Sequence, residues 1–193
     1  SPSLEYFAKE EFYRTDIPFG EQFLELVHSK KHIRKVKRAC KIKEYLAELQ
    51  LIPEFYDVAC WSVGTVVYVS ETNDFAIQRL TGHHAGKEIA KGFNLFNSTA
   101  IAVQRLRNQG KRVAIIDIDG HHGDGIQKLF YRDNKVLYCS IHQEGAFPGT
   151  GKKEDIGMGE GKGYTMNLPI PPKSDDKLFQ ADIDFKNSRS RQS

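Results

Sequence analysis

Residues 117–125 read Asp-Ile-Asp-Gly-His-His-Gly-Asp-Gly and directly follow the apolar run Val113-Ala114-Ile115-Ile116. Three carboxylates and two imidazoles behind a buried-strand pattern constrain the fold more than any other stretch. Ligand sites in open α/β sheets lie just beyond the carboxyl ends of the strands. Carboxylate and imidazole are ligands for zinc and related divalent ions. Asp119 and His121 stand at i and i+2, so on an extended segment both point the same way and reach one ion. Asp117 is placed to support them. The alternative is a turn rich in polar caps, which needs neither the number nor the order of these residues.

The flanking pattern agrees with a parallel sheet. Val113–Ile118 reads as a strand, Gly125–Tyr131 as a short helix, and Val136–Ile141 as a second strand ending at His142. Strand, helix and strand at this spacing predict parallel pairing. Tyr164–Leu168 is a further strand candidate, closed off by Pro169, Pro171 and Pro172. Upstream, Asn97–Asn108 reads as a helix with Ala100, Ile101, Val103 and Leu106 inward and Gly110 as its C-terminal cap. Phe55–Val69 reads as a buried helix running into a strand, and Phe75–Gln78 as a short strand. No Pro or Gly stands between Glu21 and Ile52, and Gln22–Leu49 reads as one long helix. Its basic run from Lys30 to Lys43 is expected to be a solvated face rather than a polyanion site, since no aromatic interleaving accompanies it.

Composition bounds the class. The chain has 193 residues, 39% hydrophobic and 27% charged, with a net charge of +3. That is one sizeable soluble domain with no charge argument for nucleic acid. No apolar run approaches the ~18 residues of a membrane span, and the first residues lack the pattern of a secretory signal. Cys40, Cys60 and Cys139 are odd in number and widely spaced, so a reducing cytoplasm is the expected location.

Two further stretches carry chemistry. The tandem His83-His84 after Gly82 suits acid/base work, because imidazole titrates near neutrality, and Asp117 and Asp124 are available to orient the pair. Gly145 to Gly163 is a glycine-rich loop. A phosphate-loop reading fails because Gly145 lies six positions before Gly151 and Lys153 stands where Ser or Thr is needed. A dinucleotide fingerprint fails because Gly157-Met158-Gly159 opens no helix. Phe147, beside Pro148, is expected to line a pocket.

Taken together, these motifs resemble the histone deacetylase superfamily of zinc-dependent amide hydrolases. The resemblance runs from Leu26-Val27-His28-Ser29 to Pro172. It includes Gly82-His83-His84-Ala85, Gly92-Phe93-Asn94-Leu95-Phe96-Asn97, Asp117–Gly125, Ser140-Ile141-His142 and Phe147-Pro148-Gly149-Thr150-Gly151. The ending Met166–Pro172 looks more like the bacterial, archaeal and class II branches. The resemblance implies an arginase/deacetylase-like open parallel sheet flanked by helices. It makes Asp119 and His121 zinc ligands. His83 and His84 become the catalytic pair, with His84 the general base and acid, and Asp117 and Asp124 orient them. Gly92, Phe93 and Phe147 line the substrate tunnel, and Asp117 and Ser140 contribute to a structural potassium site. The implied reaction is hydrolysis of an acetyl-amide, of acetyl-lysine or acetylpolyamine type.

The sequence departs from the family in three places. No Gly-x-Asp-x-x-x-x-Asp-Pro segment supplies a third zinc ligand, and Asp182 and Asp184 sit in no such context. No Gly-Gly-Tyr segment supplies the usual tyrosine, and Arg79-Leu80-Thr81 replaces Arg-Pro-Pro. The expectation is therefore a partial domain over residues 1–180, truncated at its C-terminus, with a disordered tail over 181–193. Such a chain would be weakly active or inactive, with self-association through an open sheet. The competing readings are a non-catalytic binding module and a binuclear manganese hydrolase of the arginase type. The latter needs a further Asp-rich ligand motif, and position 123 is Gly.

Overall fold

The computed structural model describes residues 17–72, 74–79 and 82–174. The expected tail over 181–193, with Asp182 and Asp184, lies outside them.

The helical layer is built first. A 3-10 helix spans Gly20–Leu26. Helix α1 covers Lys30–Lys41, with the Ser29 hydroxyl accepting from the His32 N–H at its N-terminus. His32, Val36, Ala39 and Cys40 are buried at i, i+4, i+7 and i+8, one helical stripe. The basic residues take the opposite face. The single helix expected over 22–49 is thus broken twice. After Cys40 the next inward positions fall on Lys43 and Glu44, so continuing the helix would bury no apolar surface. The chain turns instead, with Lys43 at φ 56° and its carbonyl capped by the Gln50 amide. A small antiparallel hairpin follows, β1 Tyr45–Leu46 and β2 Leu49–Gln50.

Helix α2, Glu54–Thr72, starts directly after Pro53, a position where the missing N–H costs nothing. It continues through the residues expected to change to strand, because Tyr56, Ala59, Cys60, Val63 and Val67 keep the helical spacing inward. Gly64 makes its crossing with the 3-10 segment possible: a Cβ there would lie 1.8 Å from the Pro18 carbonyl oxygen. Residues 74–78 form no strand, contrary to expectation. Helix α3 covers Ser98–Asn108, capped by the Asn97 side chain and followed by Gly110 at φ 80°.

The sheet has three parallel strands in the order β3 Val113–Asp117, β4 Val136–Gln143 and β5 Thr165–Ile170, with helix α4, Asp124–Phe130, between the first two. Val113 pairs with Val136 and Asp117 with Ser140, while Tyr138 pairs with Thr165. Ile115, Val136 and Tyr138 join Ile101, Ile126 and Phe130 in one core. The other face of β3 is open: Ile116 is 72% and Ile118 70% exposed. The connection from β4 to β5 is the glycine-rich loop, with one 3-10 turn at Gly159–Gly161.

Candidate active site

The carboxyl ends of β3 and β4, the start of α4 and the loops at 82–97 and 143–151 meet in one place. Strand β3 ends at Asp117, and both of its carboxylate oxygens accept hydrogen bonds. Oδ2 accepts from His83 Nδ1 at 3.0 Å and from the Tyr138 hydroxyl at 3.0 Å, and Oδ1 accepts from the Asp119 N–H at 3.2 Å. Asp124, the first residue of α4, accepts from His84 Nδ1 at 3.1 Å through Oδ1. Each carboxylate accepts the Nδ1 proton of its histidine, which leaves both Nε2 atoms as the basic nitrogens. The two imidazole centroids lie 4.0 Å apart.

Electrostatics keep these carboxylates ionised. Burial raises the Asp117 carboxyl, but His83, the Asp119 N–H and Tyr138 outweigh it, and the net shift is down. Burial likewise raises Asp124, but His84 and Lys91 hold it down at about 2. For His83, burial lowers the imidazole, while the Asp117 hydrogen bond and charge raise it to a net upward shift.

Asp119 and His121 follow on a bend rather than an extended segment, yet their side chains converge. His121 Nδ1 lies 3.2 Å from Asp119 Oδ1, and both are about half exposed. Two such donors suit zinc, one oxygen and one nitrogen. No group of three or more His, Cys, Asp or Glu able to hold a metal occurs among the described residues. Asp119 and His121 are therefore an incomplete donor set. The two residues linked to potassium, Asp117 and Ser140, are register partners on β3 and β4. The buried Ser140 hydroxyl lies 2.9 Å from His142 Nδ1, to which it donates because His142 Nε2 faces the Gly151 carbonyl.

Phe147 packs edge-on against His84 at 5.0 Å and lies 6.2 Å from His121. Phe93 is 55% and Phe147 44% exposed. Gly92 stands between Phe147 and His84: a Cβ there would lie 2.4 Å from His84 Cδ2 and 3.0 Å from Phe147 Cε1.

Sequence reasoning missed three residues. Lys91 Nζ donates to Asp124 Oδ2 at 2.8 Å and sits 5.2 Å over the Phe147 ring, joining the carboxylate bound to His84 to that ring. Asn94 accepts the His84 N–H through Oδ1 and donates to the Gly92 carbonyl. His122, inside the signature motif, turns away from the site. Its Nε2 donates to Gln127 at 3.0 Å, and its Nδ1 accepts from Thr150 at 2.7 Å. A lysine or asparagine in a turn carries no sequence signal of such contacts.

The histone deacetylase domain model matches residues 3–185. The chain belongs to the histone deacetylase family. A probable deacetylase of Archaeoglobus fulgidus is 49% identical over 113 residues, covering 58% of this chain and 32% of the relative. Histone deacetylase 18 of Arabidopsis thaliana is 37% identical over 175 residues, covering 77% of this chain and 26% of the relative. The crystal structure of a histone deacetylase homologue from Aquifex aeolicus superposes with a TM-score of 0.82 at 29% identity, covering 91% of this chain and 53% of that one. A homologue in complex with SAHA gives 0.83. The fold is therefore the arginase/deacetylase fold. The chain spans about a third or less of these curated relatives and about half of the solved homologue.

Proposed function

We propose that this chain carries the acid/base half of a zinc-dependent deacetylase site acting on an acetyl-lysine or acetylpolyamine type of amide. The observation that carries the reading is the pair of His–Asp dyads stacked beside the Asp119–His121 donors and the Phe147 wall. Asp119 and His121 would hold the zinc in part. When bound, zinc supplies Lewis acidity to an amide carbonyl and acidifies a water. His84, oriented by Asp124, takes a proton from the attacking water at Nε2 and returns one to the leaving amine. His83, tied to Asp117, holds a proton beside it. Gly92, Phe93 and Phe147 admit a narrow neutral acyl chain and exclude water. Asp117 and Ser140 would supply oxygens to a potassium ion behind the site. The products are a free amine and a carboxylate.

A second reading is a non-catalytic binding module. It is favoured by the donor set, which stops at two among the described residues. Even losses behind a metal's ligands cost about 10–100-fold in affinity. The arginase-type reading is disfavoured at position 123, where a Cβ would lie 2.5 Å from Asp117 Oδ2 and leave no room for a further ligand side chain.

Two measurements separate these readings. Elemental analysis of the purified chain should give about one zinc per chain, lost in Asp119→Ala; two metals would revive the binuclear reading. Acetate release from an acetyl-lysine peptide or acetylpolyamine, with added zinc, should fall at least about 10²-fold in His84→Ala. A folded chain that binds no zinc and releases no acetate belongs to the binding-module reading.

A further inference from the structure

Two tight turns meet tip to tip at the rim of the candidate tunnel. In the first, Ala47 and Glu48 join β1 to β2 with φ of 54° and 60°. In the second, Gly92 and Phe93 have φ of 57° and 64°, and Lys91 and Asn94 pair across the turn through both backbone bonds. Two successive left-handed residues between paired strands make a type I′ turn, which favours Asn-Gly. Three of these four positions carry a side chain, and Ala47, Glu48 and Phe93 each store backbone strain. Strain of this kind persists only where surrounding contacts hold it.

The contacts that hold it run between the turns. Glu48 Oε2 accepts the Gly92 N–H at 2.7 Å, and the Ala47 carbonyl accepts the Phe93 N–H at 3.1 Å. Both outward N–H groups of the tunnel-wall turn are thus taken by the hairpin tip. Gly92 is the residue wedged between His84 and Phe147, so its backbone position sets how far the Phe93 wall stands from the base.

We propose that Glu48 is a positioning residue: its carboxylate clamps the Gly92–Phe93 turn and so sets the width of the tunnel mouth. The strained Ala47-Glu48 pair serves this contact in place of the relaxed Asn-Gly that a hairpin alone would favour. The effect on substrate rests on the deacetylase reading above; the clamp itself does not.

The test uses the 193-residue chain and amide hydrogen exchange followed by NMR. In Glu48→Ala, exchange at Gly92 is expected to quicken about tenfold or more, since hydrogen bonds to charged groups are the stronger ones. Glu48→Gln, which keeps an acceptor oxygen, falls between. Amides of β4 stay protected in both. A second variant separates clamp from scaffold. Ala47→Asn with Glu48→Gly relaxes the turn, so it is expected to raise the melting temperature while still quickening Gly92 exchange. Unchanged Gly92 exchange in Glu48→Ala, with β4 protected, overturns the proposal. So does a double variant that is more stable and equally protected at Gly92. In an active preparation, Glu48→Ala raises KM severalfold with kcat nearly kept. Absence of turnover in the unsubstituted chain counts against the deacetylase reading and leaves the exchange result to decide the clamp.

Discussion

His28 is buried, and its Nε2 accepts the Asn97 N–H at 2.9 Å while its Nδ1 faces the Lys87 carbonyl at 3.4 Å. It therefore ties the chain before α1 to both ends of the segment that carries Lys91–Asn94. Burial pulls its imidazole down from 6.5 to about 4, and the neighbouring His32 adds to the shift. Burial also takes His122 to about 4. A histidine whose folded pKa is depressed binds fewer protons folded than unfolded. Its contribution is complete above pH 6.5 and is lost as the pH falls through 6.5 to 4. For His28 the loss amounts to about 3 kcal/mol. Urea unfolding across that window should show stability falling with acid, with a shallower fall in His28→Gln. An equal slope in the variant would show that His28 does not carry the effect. At this scale the sequence marks residues by chemistry, as with His83, His84, Asp119 and His121. It includes His28 in the family resemblance without giving it a role, which comes from what packs over it.

Elements show where local signals suffice and where they do not. The sequence places Asn97 at the opening of a helix, and it caps one, with Oδ1 accepting the Ala100 N–H at 2.9 Å. The fold gives the same side chain a second role, because its Nδ2 donates to the Ala85 carbonyl at 2.8 Å, next to the tandem histidines. Replacing it with Ala removes a cap, about 0.5–2 kcal/mol, and leaves a buried carbonyl unpaired, about 1–3 kcal/mol. Asn97→Ala should therefore lose about 1.5–5 kcal/mol in denaturant unfolding, and Asn97→Ser, which keeps a capping oxygen, less. Equal losses would mean that the cap contributes nothing. The hairpin after α1 is illegible for the opposite reason. Ala47-Glu48 is a poor turn sequence, and its conformation is held by a partner turn 44 residues away in the chain.

The whole molecule presents a sheet finished on one side. Parallel sheets are ordinarily covered on both faces, yet Ile116 and Ile118 stand open on the face away from the helices. Among the described residues no helix is long and apolar enough to cross a membrane. Burying two isoleucines is worth about 1.5–3 kcal/mol each. The isolated chain is expected to self-associate with rising concentration in sedimentation. Ile116→Lys should shift it toward monomer with its melting temperature nearly unchanged. A monomer at all concentrations in the unsubstituted chain would remove the open face as an association surface.

The parallel strand–helix–strand unit and the metal-type donors can be read from the chain before it folds, whereas which histidine meets which aspartate comes only from the family resemblance. The first two follow from chemistry and spacing confined to short windows: an apolar run, a period and a cluster of ligand side chains. Tertiary contacts set the rest. They stop α1 at Lys41, turn His122 inward, join Asp124 to Phe147 through Lys91 and bring Glu48 to Gly92. Those outcomes depend on burial and on contacts between distant segments. No local pattern records them, because a lysine, a glutamate or a lone histidine reads the same until something folds against it.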